Sequence, residues 1–581
     1  MRHHRRYLLG ILVLLLAACG PAAEATPTAS RSLSTPTRTT VPSQTAAPSG
    51  TALAPTAPTP TPKPIASPST PTEVKPKYGG ILKGSSYLDP QTWDPYGGSL
   101  SSQNFRPQNL MYVRLFTYRY GPPVCQLFPA DGDLAKSWSW VDDTTLEVKL
   151  REGVRFQKAA PVNGREVVAD DVARSLGDMF SRFVTLKPMA DITASVSAPD
   201  KYTVRFKLKA PFAEYIDSAL VKQAAEILAP EVNTPGRVWD WRTHAETGNG
   251  PFIIRDYRPA VKIELEKNPD YFQPGLPYLD GVRLFIIPDE ATTGAMIRTG
   301  QVDAVQLRDM GVQNYIATKA PEINLQMCAY PASHVVYMRT DKAPFSDVRV
   351  RRALSMAIDR DVFNKTVWLG MGIPRWSPIQ QWQGDWLLPL ADYPADIRQY
   401  AEYHPDRAKA LLSEAGYGGQ VLQLTYSTAA AGARTVAESL SSYWQQVGVQ
   451  TKLVPEAQSS FTPRMEARQG DYENIAIHWS SSATIDDTVF QYFYSANTRN
   501  FGHVNDPKLD EMLLSFRKML DQAQARKRMN DIQVYMMDKQ YRLELPEMTR
   551  PLALQPFVKN VWYKTDGYAE TEFYRFAWLD R

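Results

Sequence analysis

Residues 421–454 read VLQLTYSTAAAGARTVAESLSSYWQQVGVQTKLV, and the hydrophobic period changes twice within them. Residues 421–426 form a short apolar run with the length and composition of a strand. From Arg434 the period lengthens. Val436, Leu440, Trp444 and Val447 fall three or four residues apart, on one stripe of a helix that Gly448 stops. Residues 449–454 are strand-like again. Strand, helix and strand in so short a span make a βαβ unit, which needs a parallel sheet and a right-handed crossover. The C-terminal half is therefore predicted to be α/β.

On either side the same two periods recur. In SDVRVRRALSMAIDR (346–360), Val350, Ala353, Leu354, Ala357 and Ile358 share one helical face, and Ser346 or Asp347 offers the N-cap after Pro344. TTLEVKL (144–150), YTVRFKL (202–208) and VKIELEK (261–267) alternate with period two and are bounded by Asp, Pro and Gly turn residues, as half-buried antiparallel strands are. YENIAIHW (472–479) is a further strand running into the loop SSSATIDD (480–487). Open α/β sheets bind ligands beyond the carboxyl ends of their strands, where helix N-termini and free loop amides gather. Trp479 and the loop after it hold such a position.

The chain opens with a basic segment (Arg2, Arg5, Arg6) and an apolar run from Tyr7 to Leu16, shorter than the roughly 20 residues that span a bilayer. Leu16-Ala17-Ala18-Cys19 resembles the lipobox of bacterial lipoproteins. That resemblance implies a signal peptide over 1–18, cleaved before an acylated Cys19, and an extracytoplasmic protein tied to the cell membrane. Residues 19–77 are rich in Pro, Thr, Ser and Ala with almost nothing to bury, so they are expected to be a disordered tether. A flexible coil of that length reaches about 40 Å.

Some 500 residues remain beyond the tether, enough for two or three domains. Without the three leader arginines the chain lies within one charge of neutrality, which gives no electrostatic ground for a nucleic-acid partner. Cys125 and Cys328 are the only other cysteines, open to two readings: an extracytoplasmic disulfide or two small buried hydrophobes. An extracytoplasmic hydrolase would be the rival class. The chain carries no H-E-x-x-H helix, G-x-S-x-G elbow, phosphate-cradling glycine loop or EF-hand spacing, and the HAE at 244–246 is too little for a base with an orienter. No catalytic residue, cofactor or resident metal is assigned.

A set of blocks in fixed order then becomes informative. YGGILKGS, LFPADGDLAKSWSWVDDTTLEVKLREGVRF, VNGREVVADDVARSL, GNGPFIIRDY, AMIRTGQVDAV, KAPFSDVRVRRALSMAIDRDVF, HPDRAKALLSEAGY and VAESLSSYWQQVGVQTKLV resemble, in order, the family-5 solute-binding proteins of ABC importers. This group includes oligopeptide-, dipeptide- and nickel-binding receptors, and the resemblance covers residues 78 to 581. It implies a bilobed α/β fold of the type II periplasmic-binding-protein kind, with mixed sheets and an extra inserted domain. Lobe I would take 78–116, 225–325 and 551–581, the inserted domain 117–224, and lobe II 326–550. A solute would bridge the lobes and shift an open–closed equilibrium toward the closed form, which the importer's membrane subunits recognise.

In peptide-binding members a tryptophan at the end of the late strand packs on the ligand, and an aspartate three residues later pairs with its ammonium. Trp479 matches the tryptophan, but the third residue on is Ser482, which supplies no countercharge. Asp486 and Asp487 could substitute, or could be turn or cap residues. The candidate ligand contacts are Trp479, Ser480, Ser481, Ser482, Asp486, Asp487, Tyr330 and Trp382. A peptide is the expected solute. An oligosaccharide is the alternative, because Trp368, Trp376, Trp382 and Trp386 lie near Ser and Gln residues. A metal chelate would need imidazoles, of which only His334 and His478 lie near presumed cleft segments.

Overall fold

The computed structural model describes residues 75–581 apart from 91, 97–101, 123–124, 126–129, 183–186, 222–224, 235–238, 431, 467–469, 482–483 and 564–570. The leader, Cys19, the tether as far as residue 74, and Ser482 lie outside the described residues. Within them, the expected βαβ unit is present. Leu422–Ser427 and Thr451–Glu456 are parallel neighbours, with Leu422 opposite Thr451, and the helix Ala433–Gln446 crosses between them. Val436, Leu440 and Trp444 are its buried stripe, and the Trp444 indole N–H donates to the Leu354 carbonyl at 3.1 Å. A fully buried side chain of this size contributes about 3–5 kcal/mol relative to alanine. Gly432 starts the helix at φ +77°, where a Cβ would meet the Trp368 ring at 3.2 Å.

This unit belongs to a five-stranded sheet in the order 451–456, 422–427, 475–481, 332–338, 542–544. Ile475–Ser481 runs parallel to Leu422–Ser427 and antiparallel to Ala332–Met338, which pairs antiparallel with Arg542–Glu544. One face is covered by the core containing Leu354, Trp368 and Trp444, and the other by the core containing Phe461, Val489, Phe490 and Met529.

A second, seven-stranded sheet runs in the order 324–326, 552–554, 304–306, 81–86, 281–286, 262–267, 252–258. Ile81–Ser86 is parallel to both its neighbours, whereas the outer pairs are antiparallel. The alternating strands at 145–150 and 203–208 lie at the centre of a four-stranded antiparallel sheet with 135–142 and 193–200 at its edges. The helix Ala169–Arg182 buries Val172, Leu176 and Met179. All three join the core that also takes in Leu82, Ile254, Ile263 and Leu284 of the seven-stranded sheet.

The chain passes from the seven-stranded sheet to the five-stranded one between 326 and 332 and returns between 544 and 552. The two crossovers lie side by side: Tyr330 N–H donates to Met548 O at 2.8 Å and Arg550 N–H to Cys328 O at 3.0 Å. Cys328 is disulfide-bonded to Cys125, with 5.0 Å between the Cα atoms, which resolves the two readings of the cysteines in favour of a bridge.

The helix expected over 346–360 ends early, at Met356, and a second helix starts at Arg360 and runs on to Val367. Val348–Met356 is capped by Asp347, and Arg360–Val367 by Asp359, whose side chain accepts from Val362 N–H. The carboxylate at 359 satisfies an amide at a new helix start, so the apolar period continues across a break.

Candidate functional site

The strand Ile475–Ser481 ends beside the crossovers and carries the aromatic residue singled out from the sequence. Trp479 stands opposite His334 in the antiparallel register, so both side chains leave the same face of the sheet. Their rings stack with centroids 4.2 Å apart and planes 27° apart. Behind His334 lies Trp368, nearly parallel at 7° with centroids 6.1 Å apart. The Trp368 indole donates to the carbonyl of Pro546, in the returning crossover, at 2.8 Å. Tyr330, in the outgoing crossover, meets Trp479 edge-on at 6.4 Å, and the Arg550 guanidinium lies 3.5 Å over the Tyr330 ring. The result is a half-buried Trp479 held by a backing of rings and fixed to both crossovers.

His334 is 2% exposed, and neither of its ring nitrogens has a hydrogen-bond partner. Burial, reinforced by His478, depresses its pKa to about 3, so it is a neutral ring at physiological pH. His478 is likewise depressed to about 4 by burial and then by Arg499. Among the described residues no group of three or more His, Cys, Asp or Glu side chains could hold a metal ion.

The neighbouring residues of the strand serve a different set of partners. Ser480 is buried and accepts from Arg542 Nη1 at 3.0 Å, and Arg542 Nε donates to Glu544 Oε1 at 2.8 Å. The other Glu544 oxygen faces Arg375 Nε at 2.8 Å. Glu547, in the returning crossover, is 0% exposed and its carboxylate accepts no well-formed hydrogen bond; Arg375 Nε, 3.5 Å away, is its nearest cation. Burial raises its pKa to about 7, against the lowering effect of Arg375 and Gln380. Ser481 pairs through its backbone register with Ala332.

Thr484 caps the helix Ile485–Phe493 by accepting from Asp487 N–H. Asp486 is 2% exposed, and its two carboxylate oxygens receive Arg517 Nε and Nη2 at 2.6 and 2.5 Å. Its charge is therefore balanced inside the protein. Trp382 is 1% exposed, in a 3₁₀ stretch, and its indole donates to Gln380 Oε1 at 2.9 Å. Gln383 beside it donates to Thr488 of the same helix at 2.9 Å. Of the other tryptophans in that segment, Trp376 donates to Leu388 O at 3.1 Å and Trp386 packs edge-on against Phe516. The aromatic segment is thus engaged internally.

The structure brings Trp479, Ser480 and Tyr330 together with the crossovers, and places Asp486, Asp487 and Trp382 around the helix that follows. Reading the sequence missed Glu547, Arg375, Arg542 and Arg550; the PEMTR run at 546–550, with two charges in an otherwise strand-like stretch, was the available signal. The His244 of HAE is buried between Tyr112 OH at 2.8 Å and the Trp93 carbonyl at 2.6 Å, with its pKa lowered to about 4 by burial. It serves there as a structural group.

Residues 130–501 match the signature described as bacterial extracellular solute-binding proteins, family 5, middle region. The chain belongs to that family. Family 5 is a family of binding proteins and not of enzymes. A probable D,D-dipeptide-binding periplasmic protein, DdpA, of Escherichia coli K12 is 23% identical over 499 residues, covering 82% of this chain and 91% of its own. The dipeptide-binding protein of the same organism is 25% identical over 420 residues, covering 66% and 73%. Among solved structures, the Listeria monocytogenes substrate-binding protein CtaP aligns with a TM-score of 0.73 at 18% identity, over 87% of this chain and all of the other. The Helicobacter pylori binding protein DppA, in complex with the peptide STSA, aligns at 0.67 and 21% identity, over 87% and 99%. The fold is the bilobed mixed α/β fold of family 5.

Proposed function

We propose that this chain is a lipid-anchored extracytoplasmic receptor that captures a small organic solute of the peptide class between two lobes and delivers it to the membrane subunits of an ABC importer. The observation that carries the reading is the Trp479 ring, half-buried at the end of a central strand, met edge-on by Tyr330 of the outgoing crossover and stacked on His334, behind which lies Trp368, tied by its indole to the returning crossover. Relatives named for dipeptides, and a like-folded protein solved with a peptide, support the peptide class.

In this reading the lobes follow the limits 78–116, 225–325 and 551–581 against 326–550, with 117–224 inserted in the first. The strands of the three larger sheets fall within these limits to within a residue. The two crossovers are the hinge. A solute touching one lobe alone would shift nothing, so it must contact both. Trp479 and Tyr330, with Ser481 and Ser482 at and just past the strand end, contact it from the second lobe; Ser480 and Trp382, buried and hydrogen-bonded within the protein, support the site from behind, and Asp486 and Asp487 organise the helix that follows. An acylated Cys19 and the tether over 19–77 keep the receptor at high effective concentration near the importer.

The test is mass spectrometry of what the purified protein releases on gentle denaturation. Peptides should be recovered, and adding them back should raise the melting temperature as RT ln(1 + [L]/Kd) requires. Recovery of an oligosaccharide that raises the melting temperature, with peptides inert, would overturn the solute class.

A further inference from the structure

We infer that Glu214 is a closure latch, a side chain from one core that caps a helix of the other and so biases the lobes shut before any solute arrives. This rests on the solute-capture reading above and concerns how that capture is set.

The observations are contacts between two separate cores. Phe212, Tyr215 and Ala219 belong to the core shared by the seven-stranded and four-stranded sheets, whereas Ile485, Val489 and Phe490 belong to a core of the five-stranded sheet. Hydrogen bonds between described residues join them. Ala213 N–H donates to Arg517 O at 2.9 Å, Asp486 N–H donates to Glu214 Oε2 at 2.8 Å, and Ser218 Oγ donates to Thr484 Oγ1 at 3.2 Å. The Arg517 guanidinium lies 3.1 Å over Phe490 and 5.2 Å over Phe212, so one cation touches rings on both sides.

The chemistry at the helix start explains why a carboxyl is used. The first four amides of a helix have no intrahelical acceptor. Thr484 serves Asp487 N–H, and the acceptor for Asp486 N–H comes from 272 residues upstream. That amide therefore keeps this acceptor only while the two cores are together. The helix that Glu214 caps directly follows Trp479 and the residues after it in the chain, so the latch from the opposite core closes onto the half that carries Trp479.

Three acids face Glu214: Asp486 and Asp487 on the helix opposite and Asp217 on its own segment. The nearby cation, Arg517, is committed to Asp486 through both carboxylate oxygens. Burial first, and then the charge of Asp486, push the Glu214 carboxyl well above the usual carboxylate range, and burial raises Asp217 to about 6. The sign follows by linkage. A carboxyl whose pKa is higher in the closed form than in the open one binds its proton more tightly when closed, so lowering the pH favours closure.

The test uses the full-length protein without added solute, followed by small-angle scattering at pH 5 and pH 8 and by hydrogen exchange of the 484–493 peptide at pH 6. The unsubstituted protein should be more compact at pH 5 than at pH 8. Glu214→Gln keeps an acceptor and removes the charge, so it should be compact at both. Glu214→Ala should be expanded at both, and its early-helix amide should lose about tenfold in protection, the value of one hydrogen bond. The latch is overturned if both variants keep the pH trend of the unsubstituted protein, or if the 484–493 exchange is the same in all three. Because no solute is present, these results stand apart from whether a peptide is recovered from the protein.

Discussion

Replacing Trp479 by alanine separates a ligand platform from an ordinary core residue. The indole contacts two rings, His334 at 4.2 Å and Tyr330 at 6.4 Å, and it is half-buried. Aromatic pairs contribute about 0.5–1.5 kcal/mol each beyond the area they bury, so truncation should cost about 1–3 kcal/mol of folding stability. If the remaining face of the ring stacks on solute, binding should weaken by a further 1–3 kcal/mol or so, about 5- to 150-fold in Kd. Trp479→Phe keeps a ring on His334 and should lose roughly half as much. The assay is titration calorimetry with the solute recovered from the purified protein, paired with urea unfolding of each variant. Lost stability with unchanged Kd would refute the reasoning and leave Trp479 a packing residue only.

Three further outcomes follow from buried groups. Glu547 has a folded-state pKa of about 7 against the usual value near 4.5, so its stabilising contribution is full below about pH 4.5 and lost as the pH rises through about 7; Glu547→Gln should raise stability at pH 8 by about 3 kcal/mol and leave pH 4 nearly unchanged in urea unfolding. Asp486→Ala leaves the Arg517 guanidinium without its bidentate partner and should cost about 3–5 kcal/mol, measured by the same unfolding, whereas Asp486→Ala combined with Arg517→Met should recover much of the loss. Cys125→Ser with Cys328→Ser releases a bridge spanning 203 residues and should lower stability by about 2–5 kcal/mol, with non-reducing peptide mapping confirming the pair in the unsubstituted protein.

What could be read from the chain is whatever depends on local period. The strand, helix and strand of 421–454 appear with their boundaries moved by one or two residues, because hydrophobic spacing encodes the faces an element buries. The alternating strands at 145–150, 203–208 and 262–267 appear for the same reason. Long-range charge balance is not encoded this way. Asp486 reads as a candidate ligand acid or a turn or cap residue until Arg517 and Glu214 are brought to it from 31 and 272 residues away. Trp368 reads as a sugar platform until it is found behind His334, donating to the Pro546 carbonyl. The break after Met356 was hidden because Asp359 is a good helix cap inside an unbroken apolar period.

Solute capture requires that two halves hinge at the crossovers and enclose the solute between them. Small-angle scattering at pH 8, where an ionised Glu214 opposes closure, measures this most directly when run with and without saturating recovered solute. The radius of gyration should fall on saturation; an unchanged profile at a concentration where calorimetry shows full occupancy would contradict it.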